Sequence, residues 1–374
     1  MQSPREILTA IWTTAGGDPA ALESVTLTGD EPLLPSSFRV AAAAQVGIAA
    51  AGLAAAHIWQ SRRAQSQQVT VDMSHAVVEC RSERYLRVDG KPPGPTWDAI
   101  AGIYRSRDRR FVRLHTNFRH HRDAVCRVLN CEPERAAVEA ALLRWDAEAF
   151  ETAAYAGGAV VAMMRPYQEW SELPHAKALA ELPVLSIEKI GEAAPKPWPA
   201  GERPLAGLRV LDLSRVIAGP VAGRTLAAHG ADVMLISGPD RPAIPWLTID
   251  TGRGKLTSFV ELGNAQGRAV LRDLLAQADI FSQGYRPGAL AALGFSAEQA
   301  ARISPGIVYV SLSAYGHLGP WAERRGFDSL VQTATGFNHA EGQAAGIDGP
   351  KELPAQMLDH ATGYLMAFGA MMAR

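Results

Sequence analysis

From residue 206 onward, short apolar runs alternate with amphipathic stretches of helical length, and that alternation leaves few architectures open. The run 208–214 reads as a buried strand, 218–229 as a helix and 232–236 as a second strand, which together make a βαβ unit. A strand at 258–262, a helix at 265–278 and a strand at 279–282 continue the pattern. Ser296 and Gln299 stand at capping-box spacing before a helix ending near Ile303, and 307–313 is a further buried strand. Parallel strands need crossover helices of this kind. The expected fold class is therefore α/β, with a Rossmann-like, doubly wound, mainly parallel sheet in the second half.

Ahead of this region, Pro195, Pro197, Pro199 and Pro204 with Gly201 exclude a helix or interior strand, so residues 195–205 read as a proline-rich linker. Residues 1–194 carry an alanine-rich helix from about Val40, strands at 68–73 and 111–115, and helices at 122–129 and 135–143. That half reads as α+β, and 206–374 as the Rossmann-like portion. The halves echo one another weakly: Leu34-Pro35 precedes the alanine-rich helix, and Leu353-Pro354 precedes a second small-residue helix at 359–373. On that register Val40 falls opposite Asp359 and Ala44 opposite Gly363, so only the second copy carries a carboxylate.

Composition narrows the function. Hydrophobic residues make up 47% of the 374, enough for sizeable cores. Lys and Arg total 37 against 38 Asp and Glu, so no global field draws the chain to nucleic acid, and no nucleic-acid partner is expected. Cys80, Cys126 and Cys131 suit neither a disulfide framework nor a paired metal site, which points to a reducing cytoplasm. Residues 1–12 lack the apolar core of a secretory leader. The apolar run 40–56 is built mostly of methyl side chains and is short for about 30 Å of hydrocarbon; a packed soluble helix is expected, with no membrane partner.

The turn after the first strand, 214–220, lacks the G-x-G-x-x-G by which bare backbone approaches a dinucleotide pyrophosphate, so a nicotinamide dehydrogenase is not expected. His115, His120 and His121 with Asp123 have no clean ligand spacing, and no metal site is expected. An Asp at a helix start, such as Asp359, reads by itself as a cap.

Several motifs in one order alter that reading: Val216-Ile217-Ala218-Gly219-Pro220, Gly230-Ala231-Asp232-Val233, Arg253-Gly254-Lys255, Tyr285-Arg286-Pro287-Gly288, Ser311-Leu312-Ser313-Ala314-Tyr315-Gly316 and Asp359-His360-Ala361-Thr362-Gly363. Over about 204–374 the chain resembles the family III CoA-transferases, the CaiB/BaiF group related to formyl-CoA and carnitine CoA-transferases. The resemblance implies a CoA-transferase that moves CoA from an acyl-CoA donor to a carboxylic acid acceptor. Asp359 would be the catalytic carboxylate, attacking the thioester to form a covalent aspartyl intermediate. A helix N-terminus would favour the ionised carboxylate and offer N–H groups to the oxyanion, and Ala361 and Gly363 would leave room for the thioester. Coenzyme A, as substrate rather than tightly bound cofactor, would touch Ile217, Ala218, Glu261, Tyr285, Arg286, Arg325, Gly326 and Phe327.

The sister α-methylacyl-CoA racemases carry Gly-His-Asp where this chain has Gly326-Phe327-Asp328, and a phenyl ring exchanges no proton, so racemisation is not expected. His360 reads as a surface or capping residue. The first half resembles the portion that follows the catalytic helix in relatives, so the halves stand in fused or permuted order. Its loop 90–95 is proline-stiffened where relatives have a glycine-rich cover. Gly284 stands where relatives often place Asn, and Gly238 and Ala292 where some carry basic anchors. The alternative reading is therefore a non-catalytic CoA-binding or scaffolding subunit. The apolar helix stretch 363–372 needs a cover, expected from the first half and from homodimerisation.

Overall fold

The computed structural model describes residues 2–239 and 241–374. In the first half, β1 (Val25–Thr28) and β2 (Val69–Asp72) pair in parallel, and the long helix Val40–Arg63 crosses between them. This is a βαβ unit, which the α+β reading of the first half did not anticipate. Three further strands, β3 (Gly102–Arg105), β4 (Phe111–Leu114) and β5 (Val161–Met163), form an antiparallel sheet in the order β3-β4-β5. Helices including Arg119–Leu129 and Ala147–Ala156 pack on it around Leu114, Val125, Leu142 and Phe150.

The second half holds the expected doubly wound sheet. β6 (Arg209–Leu213), β7 (Asp232–Ser237), β8 (Lys255–Phe259), β9 (Ile280–Gln283) and β10 (Val308–Ser311) are all parallel, in the order β10-β9-β6-β7-β8. The chain winds outward from β6 to β8 on one side and then to β9 and β10 on the other. Its reversal point lies between β6 and β9, where crevices form at the carboxyl ends of strands. β8 begins three residues earlier than the apolar pattern of 258–262 suggests, because it is an edge strand: Leu256 and Phe259 are 65% and 66% exposed. Hydrophobicity is a poor guide to register at such an edge.

The halves share one hydrophobic core. Trp12 and Leu53 from the first half and Val210, Val221 and Phe368 from the second belong to the same buried cluster. Val40–Arg63 is long and apolar enough to cross a membrane by length and composition, yet 78% of its most apolar window is buried inside the protein. Gln45, which interrupts the apolar run 40–56, is also buried and donates to the carbonyls of Thr28 and Val71 at 2.8 and 2.9 Å, tying the helix to both strands it connects.

Val40–Arg63 covers the terminal helix Met357–Met372, with Gly47 set against Ala361. On the other side, a Cβ at position 363 would fall 2.5 Å from the carbonyl oxygen of Ala218 and 2.7 Å from the Cβ of Val221. The small residues at 361 and 363 therefore let helices approach closely; they do not open space for a thioester. No regular element lies between Leu179 and Arg209, and the proline-rich stretch is fastened to the long helix instead. Arg62 donates to the carbonyls of Pro199 and Pro204, and Arg63 to that of Gly201.

Candidate functional site

The turn after β6 is held from beneath. Asp212, fully buried, accepts from the backbone N–H and hydroxyl of Ser214 and pairs with the equally buried ammonium of Lys255 at 2.8 Å. Lys255 also donates to the carbonyl of Pro220, so Asp212 and Lys255 lock the strand to the following helix Ala218–Ala228. Within that turn Val216 adopts φ +76°, a left-handed conformation costly for a β-branched residue and characteristic of functional turns.

Above the turn, at the carboxyl ends of β6, β7, β9 and β10, lies a cavity of about 460 Å³. Asp359 lines it together with Ile217, Ala218, Tyr285, Arg286, Arg325, Gly326 and Phe327. Glu261 does not. Because β8 ends at Phe259, Glu261 sits exposed on the outward turn and accepts from Asn264, the N-cap of the helix Ala265–Leu275.

Asp359 is half-buried and is the third residue of its helix, behind Gln356 as N-cap, so the helix starts before it. Its backbone N–H donates to Oδ2 of Asp328 at 3.0 Å. Asp328 is buried at the start of the helix Asp328–Ala334, and Gln332 donates to its other oxygen. Burial pushes the Asp328 carboxyl up to about 6 against the lowering effect of the Asp359 N–H and Gln332. Asp359 is raised well above the ordinary carboxylate range by burial first, then by the charges of Asp328 and Glu83. Here burial and like charge outweigh the helix N-terminus, contrary to the expectation that the terminus keeps the carboxylate ionised.

His360 is not on the surface. It is 1% exposed, and its Nε2 lies 3.1 Å from Oε2 of Glu83, a residue of the first half. Burial alone would raise Glu83, but the bond to His360 and its charge outweigh this and hold the carboxyl low. Nearby, Arg224 pairs with Asp250 from its own half and with Glu79 from the first. The first half thus bonds both to the helix that carries Asp359 and to the helix Ala218–Ala228 beside it.

Sequence reasoning missed four kinds of contributor. Asp328 was weighed only as part of a racemase motif. Arg215, Arg241 and Arg324 join Arg286 and Arg325 around the cavity, and Arg241 lies 4.4 Å from the Tyr285 ring centroid. These guanidiniums supply the positive charge that Gly238 and Ala292 do not. His121 lines the cavity from the first half, and His115 stacks on Phe327 at 3.7 Å. Asp123, grouped with these histidines in the sequence, instead pairs with Arg119 and Arg122. Among the described residues no three His, Cys, Asp or Glu side chains converge as metal ligands would. Residues 90–95 form a largely exposed turn, and none of them lines the cavity.

Chemically, the cavity joins a row of cations to a pair of proton-holding carboxyls, an arrangement suited to an anionic ligand whose reactive carbon meets Asp359. Residues 205–374 match CoA-transferase family III. Acetyl-coenzyme A transferase nodX of Hypoxylon pulicicidum is 37% identical over 166 residues, covering 43% of this chain and 28% of that protein. Human succinyl-CoA:glutarate CoA-transferase is 33% identical over 183 residues, 46% of this chain and 41% of its own length. An acyl-CoA transferase of Gibberella moniliformis is 26% identical over 397 residues, covering 95% of this chain and 70% of that protein, in one alignment that runs through both halves. Rv3272 from M. tuberculosis, in its orthorhombic crystal form, is a solved structure 32% identical over 44% of this chain and 47% of its own, with a TM-score of 0.41. The chain thus spans less than half the length of the Hypoxylon and human relatives. The likeness to CoA-transferase family III is thus carried by residues 205–374.

Proposed function

We propose that the chain transfers CoA from an acyl-CoA donor to a carboxylic acid acceptor through Asp359. The observation that carries this reading is the position of Asp359 on the wall of a cation-rimmed cavity within the family-matched segment. The ionised carboxylate of Asp359 attacks the thioester carbonyl; the C–S bond breaks and CoA leaves as thiolate, giving a mixed anhydride. The thiolate then attacks the aspartyl carbonyl and expels the donor acid, leaving CoA as a thioester on Asp359. The acceptor carboxylate repeats the two steps in reverse, restoring the Asp359 carboxylate. No net proton is consumed. The form in which Asp359 is bare is the one that attacks, and Arg215, Arg241 and Arg286 bear the negative charges of CoA.

The reading extends to a homodimer in a reducing compartment, with light-scattering mass as the check. The chemical test is incubation with acyl-CoA and hydroxylamine, followed by peptide mapping. A hydroxamate is expected at residue 359. Acyl-CoA binding without exchange or hydroxamate would support the scaffolding alternative instead.

A further inference from the structure

His121 sits in the first turn of the helix Arg119–Leu129, is 1% exposed, and among the described residues is the only one ahead of position 205 that lines the cavity. Neither ring nitrogen has a hydrogen-bond partner among those residues. Buried polar atoms are nearly always paired, so this one needs a reason. The ordinary explanation is a core histidine, and the protein contains one for contrast: buried His175 lies 2.8 Å from the Tyr315 carbonyl through Nε2 and accepts the Trp321 N–H at 3.1 Å through Nδ1. His121 has the same burial and neither bond.

The surroundings of His121 fix its chemical character. His120 from its own helix, His115 from the end of β4, Phe118 before the helix and Phe327 across the cavity pack around the ring at centroid distances of 4.2 to 6.2 Å. Burial first, then His120, His115 and the guanidiniums of Arg325 and Arg215, keep it neutral. A neutral imidazole presents one N–H donor and one lone pair.

We infer that His121 is a specificity-determining residue: one of its ring nitrogens meets an oxygen-bearing polar group, hydroxyl or carboxyl, on the acid portion of the substrate. The cavity therefore prefers polar-tailed acids to plain hydrocarbon ones. The identity of the substrate as a CoA-linked acid rests on the transfer reading above. A hydroxyl accepts from the ring N–H or donates to the bare nitrogen; a carboxylate accepts from the ring N–H and draws on Arg215 or Arg325.

The test uses three four-carbon thioesters, butyryl-, 4-hydroxybutyryl- and succinyl-CoA, with binding read by calorimetry and transfer by product analysis. Wild type is expected to favour at least one polar thioester over butyryl-CoA by about tenfold to a hundredfold, the range for a site built around a buried polar partner. His121→Phe and His121→Leu should each erase that ratio, while His121→Asn, which keeps a donor and an acceptor, retains part of it. His121→Phe should not lower the thermal midpoint, since it removes two unpaired nitrogens. Preference for 4-hydroxybutyryl-CoA identifies the hydroxyl, and preference for succinyl-CoA the carboxylate. A wild-type ratio that survives in either apolar variant overturns the inference and leaves the transfer reading standing. Discriminating binding without turnover overturns transfer alone, and binding of none of the three overturns both.

Discussion

The two small-residue helices of this chain solve the same problem at their starts and reach opposite electrostatic results. In Val40–Arg63 the third residue, Ala42, donates its N–H to Oε1 of Glu31 at 2.7 Å; in Met357–Met372 the third residue, Asp359, donates to Asp328. Each helix thus borrows a capping carboxylate from outside itself. Glu31, however, is answered by Arg39 at 3.0 Å, whereas Asp328 faces a second carboxylate. A third acid, Asp212, shows the fully buried version of the answered case, with Lys255 at 2.8 Å. Structural acids in this fold are given a cation. The pair at the cavity is not, which accords with the role in transfer proposed for Asp359.

The difference can be broken experimentally, beginning with its largest consequence. Asp359→Asn should reduce CoA transfer by roughly a thousandfold or more, because the nucleophile itself is lost, with the hydroxamate gone from position 359. Lys255→Met should cost about 3–5 kcal/mol in urea unfolding by stranding Asp212 as a buried, unpaired charge. Retained stability in that variant would undo the distinction drawn above.

Asp328→Asn sharpens the comparison through pH. With both carboxyls raised, the rate should climb as pH rises through the pair's apparent pKa, near or above the value of about 6 for Asp328. Removing the like charge should move that acid limb to lower pH. Stability runs with the opposite sign. The unfolded chain ionises near 3.8 and the folded one near 6, so the folded state holds an extra proton between them and loses stability as pH rises through that window. Asp328→Asn should therefore gain on the order of 3 kcal/mol at pH 8 and nothing below pH 4. The smallest effect is that of Glu31→Gln, expected to cost about 0.5–1 kcal/mol in unfolding with no change in transfer or in its pH limb.

What could be read before folding was what depends on neighbours in the chain. The β6 turn, the capping box at Ser296 and the start of the helix Ala218–Ala228 are local patterns, and seven of the eight positions that the family resemblance implied for CoA line the cavity. Glu261 was misplaced by the register of a single edge strand. His360 was misjudged because its partner, Glu83, lies 277 residues away. Asp328 and His121 carry no local signal for their roles: one acts on a helix start 31 residues later, and the other faces a wall made by the opposite half. The small residues at 361 and 363 were read as room for a thioester, but a neighbouring helix fills the space beside Gly363.

The arginines at the end of the long helix have a consequence for the polypeptide as an object. Since Arg62 and Arg63 clasp backbone carbonyls from Pro199 to Pro204, and Trp12 and Phe368 lie in a common interior, continuity of the chain through residues 195–205 is not what keeps the pieces together. A protease cut in that segment should yield two bands in detergent but a single particle on a sizing column.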